Sequence, residues 1–292
     1  MDWFLLASFS AILSAIAAIS QKKILFTMNA LRFSFYVSIF GIVFSIPFFF
    51  YINYQNLSTV NLFILLIKSV LGALAFLCVM LSIKNLEISK ALPLMALTPG
   101  FVAVFAFILI GERLTVFELS GLILLLAGTY ILETKPIQTL FEPFQVFFKS
   151  KEYRYVIAAL LLFTATSILD KLLLNKYNLP PVEFMAFQEF FFAVIFGIIY
   201  FYRRKDRLAI VKSLDKNIII LIIIVAVLTI GYRYTQILST KIAPVSLVLA
   251  VKRTSVFFAA IIGGKLFEEK NLFKKSIAAA IIVAGSLLLL QE

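Results

Sequence analysis

Apolar stretches of membrane-crossing length recur along almost the whole chain. They lie near residues 3–20, 33–52, 60–83, 91–110, 116–133, 154–174, 182–202, 217–238, 244–264 and 272–290. Each spans roughly 18–22 residues, enough for a helix to cross a hydrocarbon core about 30 Å thick. At 292 residues a soluble domain could bury a core, but it could not cover this much apolar sequence with polar surface. The chain is 62% hydrophobic with 32 Phe, only 14% charged, and has a mean hydropathy of +1.04. These values lie outside the range of ordinary globular domains and place the chain in a membrane.

Composition also removes several kinds of chemistry. The only Cys, Cys78, sits inside an apolar run, so neither a disulfide framework nor a Cys-based metal site is expected. The chain has no His, the commonest general base and metal ligand. A net charge of +12 would suit nucleic acid on a soluble surface. Here the basic residues stand between apolar segments, so the charge belongs to membrane topology and no nucleic-acid partner is expected. Gly263-Gly264-Lys265 lacks the glycine spacing and following Ser/Thr of a P-loop, so ATP drive has no support. No cofactor or metal is expected.

The chain repeats itself. Lys90 stands three residues before Pro93, and Lys241 three before Pro244. Each proline opens an apolar segment that closes on a charged loop, Gly111-Glu112-Arg113 in one copy and Glu268-Glu269-Lys270 in the other. Each loop feeds a last apolar segment with a small-residue core, Ala127-Gly128-Thr129 against Ala284-Gly285-Ser286. Sixteen residues separate Glu112 from Gly128, and sixteen separate Glu269 from Gly285. The proline-to-acid distance is 19 residues in the first copy and 25 in the second, about one extra helical turn or a longer loop. A membrane unit present twice points first to transporters.

Residues 135–153, with two prolines and mixed charges, divide the chain into a first five-span repeat at 1–134 and a second at 154–292. The acidic start Met1-Asp2 is unlike the basic leader of a signal peptide, so the first span is read as a retained helix. Its Ala7, Ala11, Ala15 and Ala18 recur at helical spacing and suit close packing. Loops 1–2, 3–4, 5–6, 7–8 and 9–10 hold 19 Lys/Arg, and the opposite set holds four, Arg113, Lys171, Lys176 and Lys241. The positive-inside rule puts the heavy loops in the cytoplasm and both termini outside. Five spans per half then make the repeats inverted. The predicted architecture is all-α: ten transmembrane helices as two inverted five-helix repeats, multi-pass, in the cell membrane.

The paired halves resemble EamA domains of the drug/metabolite transporter superfamily over essentially the whole chain. The resemblance rests on Thr98-Pro99, Gly111-Glu112-Arg113-Leu114-Thr115 and Gly128 in the first half. In the second half it rests on Ala243-Pro244-Val245-Ser246, Lys252-Arg253-Thr254-Ser255 and Gly285. It implies ten helices around a central cavity and secondary transport of a small metabolite by alternating access. It does not choose the substrate. A lipid-carrier flippase of the same superfamily is the alternative, and the phenylalanine-rich helices suit it. An integral-membrane enzyme is a distant third, because no His-based acid/base pair, metal-ligand cluster or nucleophile motif is present.

Four cations, Lys68, Arg233, Lys252 and Arg253, fall inside spans, as does Glu189, with Asp170 nearer a span end. Each ionised group in mid-membrane costs at least about 2.5–3.5 kcal/mol, so such residues usually face a bundle interior or a wet cavity. On the predicted topology Lys68, Glu189, Lys252 and Arg233 lie at similar depth, roughly 8–13 Å below the outer boundary at ~1.5 Å per residue. With Tyr232 and Tyr234 flanking Arg233, they form a candidate site for a small carboxylate or phosphate, or a zwitterion. The bland alternative is that Glu189 neutralises one cation while the rest brace helices or snorkel, Lys68 being the best placed to snorkel. Arg253 is the expected partner of Glu189, since its fork matches a carboxylate. Glu189 and then Asp170 are the candidate coupling carboxyls. Glu112 and Glu268-Glu269 are expected to cap helix ends, Pro93 and Pro244 to start helices, and Pro99 either to start or to kink one.

Overall fold

A computed structural model describes residues 2–25, 27–85, 97–133, 153–203, 215–255 and 272–289. The described residues form ten α-helices, a short 3-10 turn at Tyr54–Asn56 and a π-helical turn at Leu172–Lys176, and no strand. In chain order they are α1 (Asp2–Leu25), α2 (Ala30–Phe49), α3 (Thr59–Asn85), α4 (Thr98–Ile110) and α5 (Val116–Glu133). The second half supplies α6 (Tyr153–Lys171), α7 (Pro181–Arg203), α8 (Lys216–Ile242), α9 (Val245–Arg253) and α10 (Leu272–Leu288). Helix is what such a sequence must form in lipid, because a helix satisfies its backbone polar groups within itself. Six of them, α1, α2, α3, α6, α7 and α8, are long and apolar enough to cross a membrane. The predicted span starts at 91 and ends at 264 lie partly outside the described residues, as do Pro93, Glu268-Glu269 and the linker 135–152.

Local signals set the helix ends. Asn29 caps α2 by accepting from Arg32 N at 2.9 Å, and Asp215 caps α8 from Asn217 N at 3.3 Å. Thr115 and Glu118 form a reciprocal capping box at the start of α5, with contacts of 2.7 and 3.2 Å. Gly111 ends α4 in the left-handed region at φ 68°, which favours glycine. Pro99 lies in the first turn of α4, and Pro244 caps α9 and so marks a helix start.

The packing interleaves the halves. α1 packs on α8 and α3 on α6; α2 packs on α7, α5 on α10 and α4 on α9. α1 also meets α9, as α4 meets α6, and α2 meets α8, as α3 meets α7. Exchanging each helix with the one five places along the chain returns the same set of pairs. The two repeats are therefore folded into one another rather than side by side. Ala7, Ala11 and Ala15 are fully buried, but Ala18 is exposed because the buried face of α1 has moved to Ala17 by that level. Outward rows such as Phe107, Ile108 and Leu109 are exposed, a surface that lipid tails cover at no cost.

The α5–α10 pair explains the repeated glycines. A Cβ on Gly285 would lie 2.9 Å from Gly121 O and 2.9 Å from Leu125 N, and one on Gly128 would lie 3.1 Å from Ala278 O. These backbones touch, so a methyl group has no flexible neighbour to displace. Gly285→Ala is predicted to destabilise the protein by about 1–3 kcal/mol, the usual cost of overpacking. Gly197→Ala, where nothing lies within 4 Å, should be neutral. Thermal unfolding of the two variants in detergent checks this, with a lowered midpoint for Gly285→Ala alone.

Candidate functional site

Lys68 on α3 would be expensive in lipid, and the α3–α6 packing removes it from lipid. Its Nζ lies 3.0 Å from Asp170 Oδ1, and its side chain is only 3% exposed. Arg233, on α8, brings Nη2 to 3.7 Å from Asp170 Oδ2. One carboxylate thus lies between two cations from different helices. Gln188 on α7 accepts from Arg233 Nη2 at 2.8 Å and also from Lys68 Nζ through the same Oε1. One turn along α8, Gln236 Oε1 accepts from Arg233 Nη1 at 3.3 Å and from Lys252 Nζ of α9. The Lys252 ammonium also stands over the Tyr232 ring, 4.5 Å from its centroid. A continuous polar chain therefore runs from α3 through α6, α7 and α8 to α9.

The sequence-predicted residues divide as follows. Lys68, Asp170, Arg233, Lys252 and Tyr232 are in the network. Lys68 does not snorkel; its counter-charge and the Phe184 ring, 4.9 Å from Nζ, hold it inside. Tyr234 packs on Phe48 at 5.2 Å between ring centroids, within an apolar cluster. The Arg253–Glu189 pairing expected from fork geometry does not form. Arg253 donates to Thr98 Oγ1 at 3.3 Å, whereas the Glu189 carboxyl is turned toward α2, against Gly41. Adjacent residues on a helix point about 100° apart, and Lys252 takes the direction toward the network. Gln188 and Gln236 were not singled out from sequence, although two buried amides in apolar helices are a signal of the same kind as buried charge. Among the described residues, Lys68 is buried with Asp170 and Glu189, while Arg233, Lys252 and Arg253 are half-buried beside them.

A second cluster closes one end of the bundle. Glu112, in the α4–α5 turn, accepts from Val245 N at 3.2 and 3.1 Å, capping α9 from the other half of the chain. Lys171, at the end of α6, lies 3.6 Å from Glu112 Oε1 and donates to the carbonyls of Thr240 and Ala243 at 2.9 and 2.7 Å. Burial pushes the Glu112 carboxyl up, while the Lys171 charge and the Val245 amide pull it back. At the same end Asn61 reaches Tyr177 O at 3.2 Å, Asn175 reaches Lys241 O at 3.1 Å, and Ser239 reaches Trp3 O at 2.7 Å. The α2–α3, α4–α5, α6–α7 and α8–α9 connections thus meet with the start of α1. Beneath the clasp, Ser246 Oγ is buried with no hydrogen-bond partner among the described residues.

A bundle of long apolar helices carrying a buried charge network defines an integral, multi-pass membrane protein. The chain belongs to the EamA-like transporter family, which matches it twice, at residues 1–134 and 150–291. Members of that family are transporters of the drug/metabolite type rather than enzymes. A solved crystal structure of a protein is similar in fold, with a TM-score of 0.75 at 14% identity, covering 98% of this chain and 95% of that one. No curated protein matches the chain.

The clasp makes a testable structural element. With Cys78 replaced by Ala, a cysteine placed at Ser246 should be unreactive to a membrane-impermeant thiol reagent. Adding Glu112→Gln, which removes the charge holding Lys171, should raise its labelling rate several-fold. Equal rates with and without Glu112→Gln would show that the contact does not close this end.

Proposed function

We propose that the protein is a secondary transporter that moves a small anionic or zwitterionic metabolite by alternating access, with ten crossing helices in two inverted repeats. The observation that carries this reading is the half-buried Lys252 at the end of the polar chain. Among the described residues Lys252 has an amide and an aromatic face as partners and no carboxylate within ion-pair distance. A carboxylate or phosphate supplied by substrate would complete it. Arg233, already held by Gln188 and Gln236, can present its remaining donor edge without reorganisation. Tyr232 supplies an apolar wall to the same position.

The distribution of basic loop residues favours placing the clasped end outside and the termini with it, in the cell membrane. Opening the outer end requires Glu112 to leave Val245 and Lys171, and the ion pair is weak enough when hydrated to break reversibly. Both ends of the contact lie in different repeats, so rocking one repeat against the other makes and breaks it.

A thermal-shift series on purified protein tests the substrate class. Anionic or zwitterionic metabolites should raise the unfolding midpoint, and Lys252→Ala should remove that response while leaving the unliganded midpoint near wild type. Stabilisation by organic cations alone would overturn the reading. Stabilisation confined to lipid-linked phosphates would move it to a flippase.

A further inference from the structure

The two interior carboxylates are held in opposite ways. Asp170 has Lys68 at 3.0 Å and Arg233 at 3.7 Å. Glu189, on α7, is as deeply buried as Asp170, but among the described residues no cation lies within ion-pair distance of it. Its Oε2 instead fills the notch left by Gly41 on α2, where a Cβ would lie 2.6 Å from it.

We propose that Glu189 is a proton-binding site within the membrane, and that Asp170 is the carboxylate that pairs with Lys68 and Arg233. A buried carboxylate with no ion-pair partner is unstable unless it draws a cation closer or takes up a proton, whereas Asp170 already has two cations beside it. The groups that act on Glu189 come from both other polar neighbours of α7. Lys68 faces it from α3, Arg233 and Tyr232 from α8, and Gln188 precedes it on its own helix. α2 offers no charged residue between Arg32 and its end at Phe49. Lys68 and Arg233 are already committed to Asp170 and Gln188, so Glu189 competes for them rather than owning either. The step is a reversible transfer of one proton from water to a carboxylate oxygen, with no other bond made or broken.

Protonating Glu189 leaves Arg233 to Asp170 and Gln188; deprotonating it draws Arg233 away from Asp170 toward Glu189. This ties the protonation state to the cation that the proposed substrate site depends on, and in that respect the inference rests on the transport reading. The proton site itself does not require the substrate to be known.

Infrared difference spectroscopy of the full chain in liposomes, titrated with pH and without added metabolite, tests it. A protonated, water-poor carboxyl band should appear on acidification, disappear in Glu189→Gln and persist in Asp170→Asn. Gly41→Ala, which keeps every carboxyl but crowds this one, should shift the titration midpoint of the band. A band that survives Glu189→Gln, that is lost in Asp170→Asn, or that is absent from the wild type would overturn the assignment. None of these results depends on whether a metabolite is carried.

Discussion

Keeping a lysine and an arginine inside a membrane bundle requires a fixed negative charge, and Asp170 is that charge. It lies between Lys68 of α3 and Arg233 of α8, which come from opposite halves of the chain. Removing one member of such a buried group typically costs about 3–5 kcal/mol, because the remaining charge is stranded. The pairing of α3 with α6, and of α8 with α2 and α1, is what places the three side chains together. Gln188 and Gln236 then extend the network, since an amide oxygen can accept from two cations at once without adding charge.

The interleaving of the repeats gives this network its mechanical setting. Every major helix pair described crosses between the halves, so no half can move without altering contacts made by the other. At the α5–α10 pair, glycine backbones touch and allow little adjustment. At the opposite extreme, the Glu112–Lys171 contact is a single ion pair near one end of the bundle, joined to a helix start. In the proposed transport cycle the rigid seam would transmit motion and the clasp would permit it.

Much of the fold was legible in the sequence because membrane thickness sets span length and the duplication is visible in Gly128, Gly285 and the charged loops. The presence of interior charge was legible for the same reason: Lys68 and Arg233 stand out against apolar surroundings. Their pairing was not. Which carboxylate meets which cation depends on helix rotation and on which helices touch, and neither is encoded in spacing. Glu189 lies in mid-span and Asp170 near an end, so depth favoured Glu189 as the counter-ion, whereas the α3–α6 contact selects Asp170. Lys68 looked free to snorkel because its stem is long, but a charge with a buried partner 3.0 Å away has no reason to leave it. Gln188 and Gln236 escaped notice because uncharged residues are cheap enough in a span to pass as incidental.

The central claim is that the charge network is kept for binding and not for stability. It is tested most directly by replacing Lys68, Asp170 and Arg233 together with Met, Leu and Met. Well-packed apolar substitutes for a buried ionic group are often neutral or stabilising, by about 1–4 kcal/mol. The triple variant should therefore unfold at or above the wild-type temperature in detergent while showing no stabilisation by any anionic metabolite that stabilises the wild type. A variant that fails to fold, or that folds and still responds to the same anions, would contradict the account.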